Sequence, residues 1–259
     1  MLDAARNNFN LCSDEWGPSV GMGDGMTGRR GYGQFCPVAR AAEILAERWT
    51  PLVVRELLCG SVRFNDLQRG VPQMSSSLLS RRLKELEYTG IVERLPAKSG
   101  RTSEYHLTRA GEELRPIVEG FGFWAQRWVR DDLVAKQNLD PMLLMWDIRR
   151  SVSHDGMPAG RRFVVLFDYA GVPSNKRRYW LVFDRGEVDL CMKDPGYGID
   201  LTVASSVKTM VEIWLGHVAL AQAQRSGALK LEGTRADARA FRDWFSLSLF
   251  AREPEAASA

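Results

Sequence analysis

The stretch Ser75-Ser-Ser-Leu-Leu-Ser-Arg-Arg-Leu-Lys-Glu-Leu-Glu87 separates into two faces when wound as a helix. Leu79, Leu83 and Leu86 recur at helical spacing and form one apolar stripe. Ser76, Ser77, Ser80, Arg81 and Lys84 fall on the opposite side, with Ser75 at the amino end. A helix laid into a DNA major groove needs this division, one face packed on its own domain and one face free. Small hydroxyls permit close approach to phosphates or base edges. An arginine matches guanine with two parallel hydrogen bonds, while a lysine serves as a point charge on phosphate. Alone, such a stretch is also what any amphipathic helix with a solvated basic face looks like, so its neighbours decide the reading.

Upstream, Gly70-Val-Pro72 makes a turn, and residues 64–69 form a short helix with Phe64 and Leu67 inward. Thr50-Pro51 opens a helix over 52–58 that Gly60 ends. Pro37 starts an earlier helix, with Val38, Ala41, Ala42, Leu45 and Trp49 in period. Downstream, Gly90 precedes strands at 91–95 and 103–107. The turn-rich loop between them puts Lys98 and Arg101 at a hairpin tip, within reach of flanking backbone or minor groove. Thr108 caps one long helix running through Leu114, Ile117, Phe121, Trp124 and Trp128. From Arg63 to Arg101 the chain carries eight basic residues (Arg63, Arg69, Arg81, Arg82, Lys84, Arg94, Lys98, Arg101) against four acidic ones (Asp66, Glu85, Glu87, Glu93). That local surplus says more than the net charge of +3. The order of elements is that of a winged helix-turn-helix that reads double-stranded DNA.

Cys36-Pro-Val, Glu47-Arg-Trp-Thr-Pro-Leu-Val-Val-Arg-Glu-Leu57, Arg63-Phe-Asn-Asp-Leu67, Leu79-Ser-Arg-Arg-Leu-Lys-Glu-Leu86, Gly90-Ile-Val-Glu-Arg94 and Tyr105-His-Leu-Thr resemble the HxlR-type winged helix family over roughly residues 35–130. The resemblance implies a transcriptional regulator, more often a repressor, that binds a pseudo-palindromic operator as a homodimer. It implies pairing through the first helix and the helix after the wing, with Val38, Leu45, Phe121, Trp124 and Trp128 at the interface. Cys36 precedes a helix start, where the helix dipole favours thiolate, and some members of that family respond to oxidants there. A small buried residue packing the first helix is the plainer reading of Cys36.

The second half reads as a helix over 140–151, strands near 162–169, 179–183, 188–192, 200–204 and 229–231, and helices over 205–215, 217–225 and 234–251. Strands first and helices mostly later is an α+β pattern. Trp180-Leu-Val-Phe-Asp-Arg-Gly-Glu-Val-Asp-Leu-Cys-Met192, Asp200-Leu-Thr-Val, Trp214-Leu-Gly and Ser226-Gly-Ala-Leu-Lys-Leu-Glu-Gly233 resemble the sterol-carrier-protein superfamily (type two) over about 140–250. The resemblance implies a sheet covered by helices around an apolar cavity, with Trp146, Phe163, Trp180, Phe183, Met192, Met210, Trp214 and Trp244 as pocket candidates for an apolar effector. Each is more often plain core, in which case the domain serves interaction or dimer stability.

The expected organisation is an α+β chain: a disordered arm (1–34), a winged helix-turn-helix DNA-binding and dimerisation domain (35–135), a sterol-carrier-like domain (140–251) and a disordered tail (252–259). Gly23-Asp-Gly-Met-Thr-Gly28 spells G-x-G-x-x-G, but no strand precedes it and no apolar helix follows, so no dinucleotide cofactor is expected. Cys12, Cys36, Cys59 and Cys191 show no C-x-x-C pair, and His106, His154 and His217 stand apart from them, which leaves no metal site. No nucleophile lies at a recognisable spacing from a base, so no enzyme is expected. No apolar run is long enough to span a bilayer and no secretion signal is evident, so the expected location is cytoplasmic. An apolar-ligand carrier that uses its winged helix for protein contacts is the alternative function.

Overall fold

A computed structural model of the chain describes residues 31–97, 100, 102–153 and 160–251. They divide into two units between Glu43 and Ile44. Helix α1 (Pro37–Leu45), which runs across this division, begins at its proline, as expected, with Phe35 and Val38 exposed. Trp49 does not continue this helix. It holds a left-handed φ of 79° and precedes α2 (Thr50–Leu58), whose first turn contains Pro51.

In the second unit, α2 is followed by α3 (Phe64–Gly70) and α4 (Ser76–Tyr88), then by strands β1 (Val92–Pro96) and β2 (Ser103–Leu107). The strands pair antiparallel, Val92 opposite Leu107. Val53, Val54, Leu57, Leu67, Met74, Leu79, Leu83 and Leu86 form the first core. Full burial of each such side chain stabilises by about 1.5–3 kcal/mol. The single helix expected over 108–128 is instead two, α5 (Arg109–Glu112) and α6 (Arg115–Trp128). Pro116 is the reason: it has no N–H for the carbonyl of Glu112, and it is tolerated only in the first turn of a new helix. A short helix α7 (Arg130–Leu133) ends this half.

Helix α8 (Pro141–Ser151) is capped by Asp140, whose Oδ1 accepts from the backbone N–H of Met142 at 2.8 Å and of Leu143 at 3.2 Å. Strands β3 (Phe163–Ala170), β4 (Arg178–Asp184) and β5 (Glu187–Cys191) follow, then β6 (Leu201–Ser206), α9 (Val207–Trp214), α10 (Leu220–Arg225), β7 (Leu229–Gly233) and α11 (Arg235–Trp244). The sheet runs β5-β4-β3-β6-β7, with only the β3–β6 pair parallel. Arg185 (φ 52°) and Gly186 (φ 85°) join β4 to β5 in a two-residue turn, the left-handed pair that suits the twist of a hairpin. The inward residues Phe163, Val165, Phe167, Tyr169, Leu181 and Phe183 pack with Met145, Ile148, Met210, Ile213, Phe241 and Trp244 in a second, separate core.

Among the later helices, α10 and α11 differ most from expectation in their bounds. Helix α10 starts at Leu220, not His217, because the N–H groups of His217 and Val218 both donate to the Glu212 carbonyl, at 2.7 and 3.2 Å, in closing α9. Helix α11 stops at Trp244, not Ala251. The Trp244 carbonyl accepts from Ser153 N–H at 2.9 Å and Ser248 N–H donates to the Trp214 carbonyl at 2.8 Å, so the next turn's backbone groups are taken elsewhere. The mixed α+β class expected from sequence holds. Among the described residues no helix is long and apolar enough to cross a membrane.

Candidate nucleic-acid interface

Ser75 is extended and its Oγ accepts from Leu78 N–H at 3.3 Å, so it caps α4. The Ser75 and Ser77 hydroxyls lie 3.2 Å apart. Ser75, Ser76, Ser77, Arg81 and Lys84 are exposed and Ser80 is half-buried, while Leu79, Leu83 and Leu86 are buried. Arg81 and Lys84 make no ion pair with any described residue. The helix thus presents two free cations and a run of hydroxyls on one side.

Arg82 corrects the charge count made from sequence. It is buried, with Nη2 2.8 Å from Glu47 and Nη1 paired to Glu85. Its charge is paired inside the domain and adds nothing to the exposed face of α4. Glu85 is one turn away and so legible, but Glu47 is distant in sequence and no local pattern links it to Arg82. Lys98 and Arg101 lie outside the described residues, as do His154 and the Gly23–Gly28 motif. At the base of the wing, Arg94, Leu95, Pro96, Gly100, Thr102 and Ser103 line a groove of about 410 Å³. The Arg94 guanidinium stacks over Tyr105, which holds it beside that groove.

A second surface lies on α6. Ile117, Phe121, Trp124 and Trp128 follow helical spacing and are all exposed, Trp128 at 68%. Four large apolar side chains in one exposed stripe exceed the scattered exposure normal for a surface.

Cys36 is half-buried directly before α1, its carbonyl accepting from Arg40 N–H at 3.1 Å. The eight pocket candidates do not surround one space. Phe163, Phe183, Met210 and Trp244 belong to the second core, the Phe183 and Trp244 rings 4.9 Å apart, and Trp214 packs at its margin. Trp180 stands on the other face of the sheet with Val164, Leu166 and Val182. Strand alternation explains this, because Trp180 and Phe183 are three residues apart in β4 and so point to opposite faces. Met192 is 60% exposed. Trp146 lies outside both clusters and donates its indole N–H to Glu56.

Residues 44–133 match the family described as HxlR-like helix-turn-helix. The uncharacterized HTH-type transcriptional regulator YvaP of Bacillus subtilis (strain 168) is 41% identical over 99 residues, 37% of this chain and 91% of that protein. The HTH-type transcriptional regulator YodB of the same strain is 34% identical over 97 residues, 36% of this chain and 86% of that protein. Among solved structures, the redox regulator HypR in its reduced form is similar over 38% of this chain and 99% of its own, at 30% identity and a TM-score of 0.34.

Proposed function

Since this chain belongs to the HxlR-like helix-turn-helix family, we propose that it is a transcriptional regulator that binds a pseudo-palindromic operator as a homodimer and represses. The observation that carries the reading is α4 itself: a leucine stripe buried in the domain, backed by exposed Ser76, Ser77, Arg81 and Lys84 with no protein ion partner among the described residues. In the reading proposed, Ser75 to Ser80 approach backbone and base edges, Arg81 reads a base and Lys84 neutralises phosphate. Lys98 and Arg101 of the wing add salt-dependent affinity. The dimer forms through the α6 stripe, which would bury Phe121, Trp124 and Trp128.

The division into a DNA-binding domain and a sterol-carrier-like domain over 140–251 is part of the same proposal, and the two separate cores favour it. An apolar effector in the second domain has narrower support than the sequence offered. It rests on the apolar side chains Phe163, Phe183, Met210 and Trp244 that the second core gathers on one face of the sheet, with Trp214 at its margin. Cys36, half-buried ahead of α1, is the proposed point of response to an oxidant, which the redox regulation named for HypR favours.

The test replaces Arg81 and Lys84 with Ala and measures binding to duplexes selected by the parent protein from a random pool. Loss of binding with an unchanged melting temperature is expected. Retained affinity and an unchanged salt slope would remove α4 as the reading helix.

A further inference from the structure

Two joints tie the C-terminal region to the winged helix within the second unit. The first is a buried ionic cluster between α2 and α8. The Glu56 side chain is fully buried and accepts from Arg150 Nη1 at 2.7 Å and Nη2 at 3.2 Å, from Trp146 Nε1 at 3.2 Å and from its neighbour Arg55. Asp147 pairs with Arg150 and lies 3.6 Å from Arg55. Helix α3 joins in, with Arg69 over the Trp146 ring and Gly70 so close that an added Cβ would sit 1.9 Å from the Glu56 carboxyl. Four charges and an indole therefore lock α8 to the helices that carry the reading motif.

The second joint holds the far half of α6. Gln126 Nε2 donates to the Leu215 carbonyl at 2.8 Å and its Oε1 lies 3.1 Å from His217 Nε2. The Phe123 and Phe250 rings meet edge to face at 5.3 Å, and Phe250 fills the space a side chain at Gly122 would need. At about 100° per residue, Gly122, Phe123 and Gln126 lie on the side of α6 opposite the exposed stripe Ile117, Phe121, Trp124 and Trp128. The near half of α6 is held differently, by Leu114 and Val118 against the first core. No residue of α6 beyond Val118 joins that core.

We propose that the C-terminal region is a bracket that fixes the direction of the second half of α6 relative to the reading helix α4. Resting on the dimeric reading above, the bracket then sets how far apart two reading helices stand on DNA. Any event that loosens either joint changes that separation without touching a DNA contact. The region is thus a geometric part of the DNA-binding machine.

The experiment measures distances between spin labels on the full chain, with Cys12, Cys36, Cys59 and Cys191 replaced by Ser. One pair sits at Lys84→Cys and Arg127→Cys, across the bracket. A control pair at Lys84→Cys and Glu113→Cys stays within the winged helix. Dilution with unlabelled protein leaves one labelled chain per particle. In the parent both distributions are narrow. In a Gln126→Ala, Phe250→Ala variant the 84–127 distance is expected to shift and broaden while 84–113 stays as it was. If the double variant unfolds, Gln126→Ala alone gives the reading, since it cuts both hydrogen bonds and leaves the ring contact. An 84–127 distribution unchanged in a folded variant overturns the bracket. A monomer in sedimentation would overturn the dimer and leave the bracket measured.

Discussion

Arg150 on α8 donates through both guanidinium nitrogens to Glu56 on α2, a carboxylate with no solvent exposure. Burial alone would raise the Glu56 carboxyl, but Arg55 and Arg150 overcome it and hold the group below the ordinary carboxylate value. The pair is therefore charged in the folded protein, and its worth lies in being complete. Replacing both partners by apolar groups can be neutral, whereas removing one strands the other charge. Glu56→Gln is expected to destabilise by about 3–5 kcal/mol, because Arg55 and Arg150 are left with Asp147 alone. Urea unfolding at neutral pH measures it. A loss under about 1 kcal/mol would mean that the cluster is solvated in solution.

This cluster also marks where reading the sequence stops. The leucine stripe of α4 and the start of α1 at Pro37 are local signals, and each marks the element that forms there. Pro116 is an equally local signal, and it divides the helical pattern over 108–128 into α5 and α6. Arg55, Glu56, Asp147 and Arg150 are different. Their partners lie about ninety positions apart, and charged residues on a helix ordinarily signal a solvated face. The same holds for Arg82, counted as a surface cation until Glu47 is found beside it. The pocket candidates divide between two faces for a simpler reason: large apolar side chains identify a core but not which face of the sheet each one joins.

His217 sits at the second joint, and burial, then the nearby Arg130, hold its pKa below the ordinary 6.5 against the opposing pull of Glu212 and Asp131. The unfolded chain therefore takes up the proton first as pH falls. Stability from this group is present above 6.5 and is lost as pH drops through the lower folded value. Its neutral ring can donate from Nε2 to Gln126 Oε1, a bond that protonation at Nδ1 keeps, so the cost of protonation is the burial of a charge near Arg130. Unfolding free energy measured against pH should decline below 6.5 in the parent and decline less in His217→Gln. Parallel profiles for the two proteins would show that His217 does not sense the joint.

The exposed stripe on α6 gives the most direct quantity to measure. Trp124 and Trp128 stand one turn apart, 59% and 68% exposed, with Phe121 completing the patch. Aromatic anchors at the centre of an interface commonly cost 2 kcal/mol or more on truncation to alanine. A loss of about 2 kcal/mol weakens association roughly 30-fold. Trp124→Ala and Trp128→Ala should each raise the dimer dissociation constant by at least that factor in sedimentation equilibrium. Neither should lower the thermal stability of the monomer, since no core contact is removed. Affinity for a two-half-site duplex should fall in step with dimerisation, while affinity for an isolated half-site stays as in the parent. A dimer constant unmoved by either substitution would place the self-association surface elsewhere on the chain.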